Sequence, residues 1–445
     1  MPTGQRELIR TTFGRPLFPM MKSRSWILLF GALALASLEG RAADAAATVT
    51  VDDHFQIPAT DDGLPGAGPI RRYDWFKKLW AERRSGWARR VQQDQNALVF
   101  LGDSITQGWG DVSSTFPGVK VANRGISGDT TRGVLIRVQE DVLSLNPKGV
   151  VLLIGTNDLE EQAEPEVIAA NLKLIIAALK QHRADMPVVL CRVMPSSAEK
   201  KRPADKIKKI NQLYFEAMKD EPQVTMLDTY ALFANTTGDA PAAEFPDLLH
   251  PNGVGYARWA LALRPIFETL GLMPSWPDDF TPEAGFTSIF NGRDLSGWSY
   301  PEGNSLDGKT VTDDGRFRAV NGRFVVTVSR LQGSYKKIWT TRKFPKDFTL
   351  RLEFRASPNA DSGIYIREPQ LQCRDYLIAG PFMALKHYRP LDWNQIEVTV
   401  RGGLAHGTCN GEVLVDAFTI PPDGSIGLES DHGQMEYRRI RVREE

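Results

Sequence analysis

Between residues 97 and about 270 the chain alternates short apolar runs with longer stretches of helical periodicity. Leu98-Val99-Phe100-Leu101 is the first run and ends in Gly102; residues 119–122 form the second, and Val150-Val151-Leu152-Leu153-Ile154 the third. Val188-Val189-Leu190 and residues 224–227 complete a set of five. Between them apolar residues recur at helical spacing, as in Val167, Leu172, Ile175, Ile176 and Leu179 behind Pro165, a residue suited to a first helical turn. Runs without polar alternation are buried on both faces, so the pattern predicts an α/β domain around a parallel five-stranded sheet.

Past Gly271 the period changes. Pro274, Pro277 and Pro282, with Asp278 and Asp279, make a stiff polar connector. Beyond it Phe348, Leu350, Leu352 and Phe354 alternate with Thr349, Arg351, Glu353 and Arg355. Ile396, Val398 and Val400 repeat the scheme, as do Ile440 and Val442. A period of two buries one face of a strand, and Asn321-Gly322 and Asn410-Gly411 punctuate the runs as hairpin turns do. This predicts an antiparallel all-β domain, a two-sheet sandwich. The expected plan is a leader region at 1–47, a helical segment at 48–95, the α/β domain at 96–273, the connector at 274–284 and the β domain at 285–445. The helical segment carries Trp75, Phe76, Leu79, Trp80 and Trp87 among many charges, which predicts a helix packed on the α/β domain with no chemistry of its own.

The leader holds one apolar run, residues 26–38, after Lys22 and Arg24 and before small residues that include Ala43-Asp44-Ala45. The run is shorter than the ~20 residues a bilayer span requires. A basic flank, a short apolar stretch and a small-residue site form the pattern of a secretory signal peptide; an uncleaved anchor is the alternative, and Met20 or Met21 an alternative start. The expectation is export to the periplasm or the medium, with no membrane span once the leader is removed. Export would permit a Cys373–Cys409 disulfide, although three cysteines cannot build a disulfide framework. Lys+Arg and Asp+Glu both total 54, so the basic excess that nucleic-acid or anionic-membrane partners demand is lacking.

Four blocks at strand or helix ends carry chemistry. The first strand runs into Gly102-Asp103-Ser104, and a polar group just past the carboxyl end of a parallel strand sits where such sheets gather ligands. After the second strand comes Asn123-Arg124-Gly125-Ile126-Ser127-Gly128-Asp129, a turn able to present backbone N–H groups. The third strand ends in Gly155-Thr156-Asn157-Asp158, and Asp247-Leu248-Leu249-His250 precedes the last helical stretch. Singly these are ambiguous: Asn157 also reads as a helix cap, Gly128 as a turn glycine and Asp103 as a structural turn residue. No His/Cys cluster has zinc-like spacing, so no metal and no cofactor is expected.

Together, in this order, the blocks resemble the SGNH hydrolases, the GDSL esterase/lipase superfamily, and the second block is similar in wording to the platelet-activating-factor acetylhydrolase-like branch. The resemblance implies a three-layer, flavodoxin-like α/β domain in which Ser104 is the nucleophile, His250 the base and Asp247 its acid partner. It further implies an oxyanion hole made by the N–H of Ser104, the N–H of Gly128 and the side-chain amide of Asn157. The chemistry suits those residue types. A serine hydroxyl needs an adjacent base, an imidazole can take its proton and return it to the leaving alcohol, and a carboxylate fixes the imidazole tautomer.

In the β domain, residues 285–298 (opening Gly285-Phe286-Thr287 and closing Ser296-Gly297-Trp298), with Leu352-Glu353-Phe354-Arg355, residues 361–367 and Asp392-Trp393-Asn394, resemble the 3-keto-disaccharide hydrolase domain family, a concanavalin-like jelly roll. Such jelly rolls bind or process sugars, which points to Glu353, Asp361, Arg367 and Trp393 as a sugar site; Trp298 and Trp393 also read as core residues. The combined expectation is an exported serine esterase acting on acylated, chiefly acetylated, carbohydrates or small esters, with a β domain that binds or cleaves a glycoside. A lipase or lysophospholipase-like esterase and a non-catalytic carbohydrate-binding protein are the rival readings.

Overall fold

A computed structural model describes residues 52–327, 336–375 and 381–445; the signal peptide expected at 1–47 lies outside the described residues. The chain enters through α1 (Asp74–Ala88) and α2 (Val91–Asp94). Phe76, Trp80 and Trp87 of α1 are buried against Ile126 of the following domain, as the clustered aromatics suggest.

The five apolar runs form β1 (Leu98–Gly102), β2 (Val121–Gly125), β3 (Gly149–Leu153), β4 (Val188–Cys191) and β5 (Val224–Leu227), all parallel, in the order β2-β1-β3-β4-β5. Two groups of helices sandwich them. On one face, α5 (Thr131–Asp141), α7 (Pro165–His182) and α8 (Ala204–Met218) pack Val134, Leu172 and Ile207 against Val99, Leu101 and Leu152. On the other, α3 (Ser104–Gly108), α4 (Val112–Thr115), α9 (Thr229–Phe233) and α10 (Gly253–Thr269) pack Ile105, Val112, Leu232 and Trp259 against Leu98, Phe100 and Val151. A short helix, α6 (Thr156–Glu160), follows β3 directly. Because β2 and β3 lie on opposite sides of β1, the chain changes direction there, and a crevice opens beyond the carboxyl ends of β1 and β3. No helix among the described residues is long and apolar enough to cross a membrane.

The second domain is antiparallel throughout. Its larger sheet has the order β16-β15-β14-β11-β18-β9-β8, with β6 paired to β18, and its smaller one β13-β12-β17-β10-β7. In chain order these are β6 (Thr287–Ser288), β7 (Trp298–Ser299), β8 (Phe317–Val320), β9 (Arg323–Val326), β10 (Lys336–Thr340), β11 (Phe348–Ala356), β12 (Asp361–Ile366), β13 (Gln370–Arg374), β14 (Asn394–Arg401), β15 (Leu404–Cys409), β16 (Glu412–Thr419), β17 (Ile426–Ser430) and β18 (Met435–Glu444). Leu350, Leu352 and Val398 of the larger sheet meet Ile338, Ile364 and Leu428 of the smaller one in a single core that also encloses Trp298. Asn321 and Gly322, at φ 47° and 79°, and Asn410 and Gly411, at 49° and 82°, make the left-handed turns that two-residue hairpins require. Cys373, on β13 of the smaller sheet, and Cys409, on β15 of the larger, are both buried free thiols in the core between the sheets.

Polar contacts join the two domains. Glu268 of α10 pairs with Arg323 at 2.9 Å, Gln434 donates to Thr269 Oγ1 at 3.2 Å, and Asn359 donates to Asp228 Oδ2 at 3.1 Å.

Candidate active site

Ser104 is the first residue of α3, immediately past β1, and Asp103 caps that helix by accepting the Ile105 N–H at 2.9 Å. Thrust over the crevice, the Ser104 hydroxyl oxygen lies 2.8 Å from His250 Nε2. His250 Nδ1 lies 2.6 Å from Asp247 Oδ2, while the other Asp247 oxygen accepts the N–H of His250 at 2.8 Å and of Leu249 at 3.1 Å. The turn reaches this geometry through Leu248, whose φ of 61° is left-handed. Asn252, capping α10 by accepting from Val254 and Gly255, fixes where the turn ends. With Nδ1 donating to the carboxylate, Nε2 is left to accept from Ser104, the orientation a general base needs. Desolvation pushes the Asp247 carboxyl upward, but the bonds from His250 and Leu249 outweigh it and hold it at about 2, so it stays charged across the neutral range.

The three N–H groups expected to meet an oxyanion belong to Ser104, Gly128 and Asn157, on the segments that follow β1, β2 and β3. Ser104 and Gly128 N–H donate to no other group among the described residues. Asn157 donates one amide hydrogen to Asp129 O at 2.9 Å and accepts from Arg202 Nη2 at 2.8 Å, which fixes the amide's orientation and leaves its second hydrogen available. The loop that carries Gly128 is held from beneath. Arg137 pairs with Asp129 at 2.8 Å and donates to Arg124 O at 2.9 Å and Gly102 O at 3.1 Å, tying the ends of β1 and β2 together with no exposed surface on either partner of the pair. Gly128 itself has φ 88°, and a Cβ there would strike Trp75 at 2.7 Å. Of the open readings, Gly128 is thus a turn glycine whose N–H is unengaged, and Asn157 is inside α6 rather than its cap. Asp103 is structural: burial raises its carboxyl to about 6, and its Oδ2 has no hydrogen-bond partner among the described residues. The arrangement has the parts for acyl transfer: a hydroxyl on a base and a base on a carboxylate, with unengaged N–H donors on the segments that follow β1, β2 and β3.

The four residues expected to hold a sugar are not brought together. Glu353 is engaged by Arg438 at 2.6 Å and Arg439 at 3.1 Å on the outer face of the larger sheet, and Trp393 lies under the guanidiniums of Arg355 and Arg438. Arg367, buried with φ 64°, spends its guanidinium on the carbonyls of Pro421 and Lys346, a structural role. Only Asp361, paired with Arg374 at 2.8 Å, sits on the outer face of the smaller sheet, and there a different group gathers. Glu429, 5% exposed, accepts from Tyr365 at 2.9 Å and from Gln370, and burial raises its carboxyl. Trp339 packs on Tyr365 with ring centres 5.5 Å apart, and Lys337 stands 3.9 Å over the Tyr365 ring. Alternation along β10 and β12 carried the only sequence signal for this group, and it does not distinguish a ligand face from a solvated one.

Comparison with known proteins agrees with this division. Residues 100–258 match the GDSL-like lipase/acylhydrolase family, and residues 285–443 match the 3-keto-alpha-glucoside-1,2-lyase-like domain. Human platelet-activating factor acetylhydrolase IB subunit alpha2 is 27% identical over 186 residues, 40% of this chain and 79% of the relative. Among solved structures, a GDSL-like lipase from Bacteroides thetaiotaomicron is 26% identical and covers 43% of this chain and 97% of its own, with a TM-score of 0.37. A lipase/acylhydrolase from Enterococcus faecalis is 25% identical and covers 40% and 98%, with a TM-score of 0.34. The chain is an ester-bond hydrolase in which a GDSL-like lipase/acylhydrolase domain is followed by a 3-keto-alpha-glucoside-1,2-lyase-like domain.

Proposed function

We infer that the protein is an exported serine esterase that removes acyl groups, chiefly acetyl, from carbohydrates. The observation that carries the reading is the continuous relay from Ser104 through His250 to Asp247, at 2.8 and 2.6 Å. In the first half-reaction Ser104 Oγ bonds to the ester carbonyl carbon as His250 Nε2 takes the hydroxyl proton. The carbonyl oxygen becomes an oxyanion and meets the N–H groups of Ser104, Gly128 and Asn157. Collapse breaks the bond to the sugar oxygen, which leaves with the proton from His250. Water then attacks the acyl-serine with His250 again as base, releasing the carboxylic acid and regenerating Ser104.

The acetyl group is suggested by the names of the curated relatives, and the carbohydrate by the second domain's family. That domain is read as binding or processing a glycoside through the Glu429, Trp339 and Tyr365 group. A second reading, an acetylated lipid alcohol as substrate, draws on the same relatives. Turnover of an acetylated xylo-oligosaccharide and of an acetylated glycerophospholipid by wild type and Ser104→Ala separates the two. The proposal expects the sugar ester to be preferred and both rates to vanish in the variant. Turnover of the phospholipid alone, or an undiminished rate in Ser104→Ala, would overturn it.

A further inference from the structure

Residues 70–76 precede both family matches, which begin at residues 100 and 285, yet Arg71, Trp75 and Phe76 pack against Gly128, whose N–H is expected to meet the oxyanion. A Cβ on Gly128 would come 2.7 Å from Trp75 Cη2 and 3.0 Å from Arg71 Nη1, so both side chains pack on the glycine whose N–H is unengaged. Arg71 is only 7% exposed; its Nε holds Glu161 at 2.7 Å and its Nη2 holds Glu160. Its Nη1 makes no hydrogen bond to any described residue and is not shut away from solvent, so it can donate to a ligand that lies against Gly128. Trp75 and Tyr73 are 53% and 52% exposed, with rings stacked at 6.3 Å and 12°, and the Tyr73 hydroxyl donates to Glu161 at 3.3 Å. The segment leading into α1 and its first turn therefore present a braced, half-exposed aromatic plane and a charged donor beside Gly128.

We propose that Trp75 and Arg71 form the subsite for the alcohol portion of the ester, a pyranosyl residue that carries the acyl group. The ring's C–H face stacks on the indole, and a ring hydroxyl accepts from Arg71 Nη1. A long acyl or alkyl chain would want a continuous apolar trough, whereas here the plane is bordered by Arg71, Glu160, Glu161 and Arg202. The proposal rests on the acylated-carbohydrate reading above and names where that sugar binds.

The test is kcat/KM of the full chain on an acetylated methyl xyloside and on methyl acetate, for wild type, Trp75→Ala and Trp75→Phe. The ratio of the sugar ester to methyl acetate should fall about tenfold in Trp75→Ala, mainly through KM, and recover most of the way in Trp75→Phe. A ratio in Trp75→Ala equal to wild type, or one in Trp75→Phe as low as in Trp75→Ala, overturns the subsite while leaving the esterase reading intact. If wild type cleaves methyl acetate but no acetylated xyloside, the carbohydrate reading falls and takes the subsite with it.

Discussion

The two domains hold their polar chemistry in opposite ways. In the α/β domain each group sits where a strand stops or a helix starts: Ser104 after β1, Gly128 after β2, Asn157 after β3, and Asp247 and His250 just before α10. A contiguous block of a few residues delivers each one, because parallel strands bring their carboxyl ends to one edge. In the β domain the group around Glu429 takes residues from four strands, β10, β12, β13 and β17, on the face of a sheet. No single block holds it. Sites at strand ends are therefore written as local motifs, whereas sites on sheet faces are written only as alternation.

The comparison is broken most severely at the relay. Asp247→Asn keeps the turn's backbone acceptor but offers His250 the wrong partner, and kcat on the best ester should fall by on the order of 10⁴. Because that side chain is 45% exposed, the thermal midpoint should stay close to wild type. A fall of only a few-fold would mean the carboxylate does not orient the base.

Arg137 tests the support beneath the site. Arg137→Ala leaves the Asp129 carboxylate buried without its partner, and unfolding free energy in urea should drop by about 3–5 kcal/mol. A loss below about 1 kcal/mol would show that the loop bearing Gly128 stands without it. Asn157→Ala should lower kcat by about 10²–10³ with KM little changed, since the amide is proposed to meet charge that develops only in the transition state. An equal effect on KM would make Asn157 a ground-state binder instead.

The smallest expected effect concerns pH. Burial raises the Asp103 carboxyl to about 6 in the folded chain, above the ~3.9 of an unfolded aspartate. The folded state thus holds this proton more tightly, and the stability it contributes is complete below about pH 4 and lost as pH rises through about 6. Asp103→Asn keeps the helix cap and cannot titrate. Wild type should lose urea stability relative to Asp103→Asn as pH is raised from 4 to 7; parallel curves would contradict the burial argument.

Much of the first domain was legible from residues. Runs such as Val150-Val151-Leu152-Leu153 reflect burial on both faces, and the Asp-x-x-His spacing reflects the reach of two side chains on one turn. The second strand, expected over 119–122, runs instead over Val121–Gly125, because the polar Asn123 and Arg124 of an edge strand obscured its continuation. How the fold places the four candidate sugar residues was not legible. Glu353 and Trp393 have the residue types of a sugar site, but pairing across strands gives them to Arg438, Arg439 and Arg355, partners distant in the chain. Arg71 and Trp75 were missed for a related reason: a helix rich in aromatics reads as packing, and only the tertiary fold sets Trp75 of its first turn, and Arg71 just before it, beside Gly128.

The central claim is that the Ser104 hydroxyl is the group activated for attack. It is tested most directly by treating the full chain with a fluorophosphonate and locating the adduct by peptide mass spectrometry. The account predicts one phosphonyl group per chain, on the peptide containing Ser104, absent from Ser104→Ala and formed far more slowly in His250→Ala. An adduct on another residue that abolishes ester hydrolysis, or wild type that hydrolyses esters while remaining unlabelled, would contradict it.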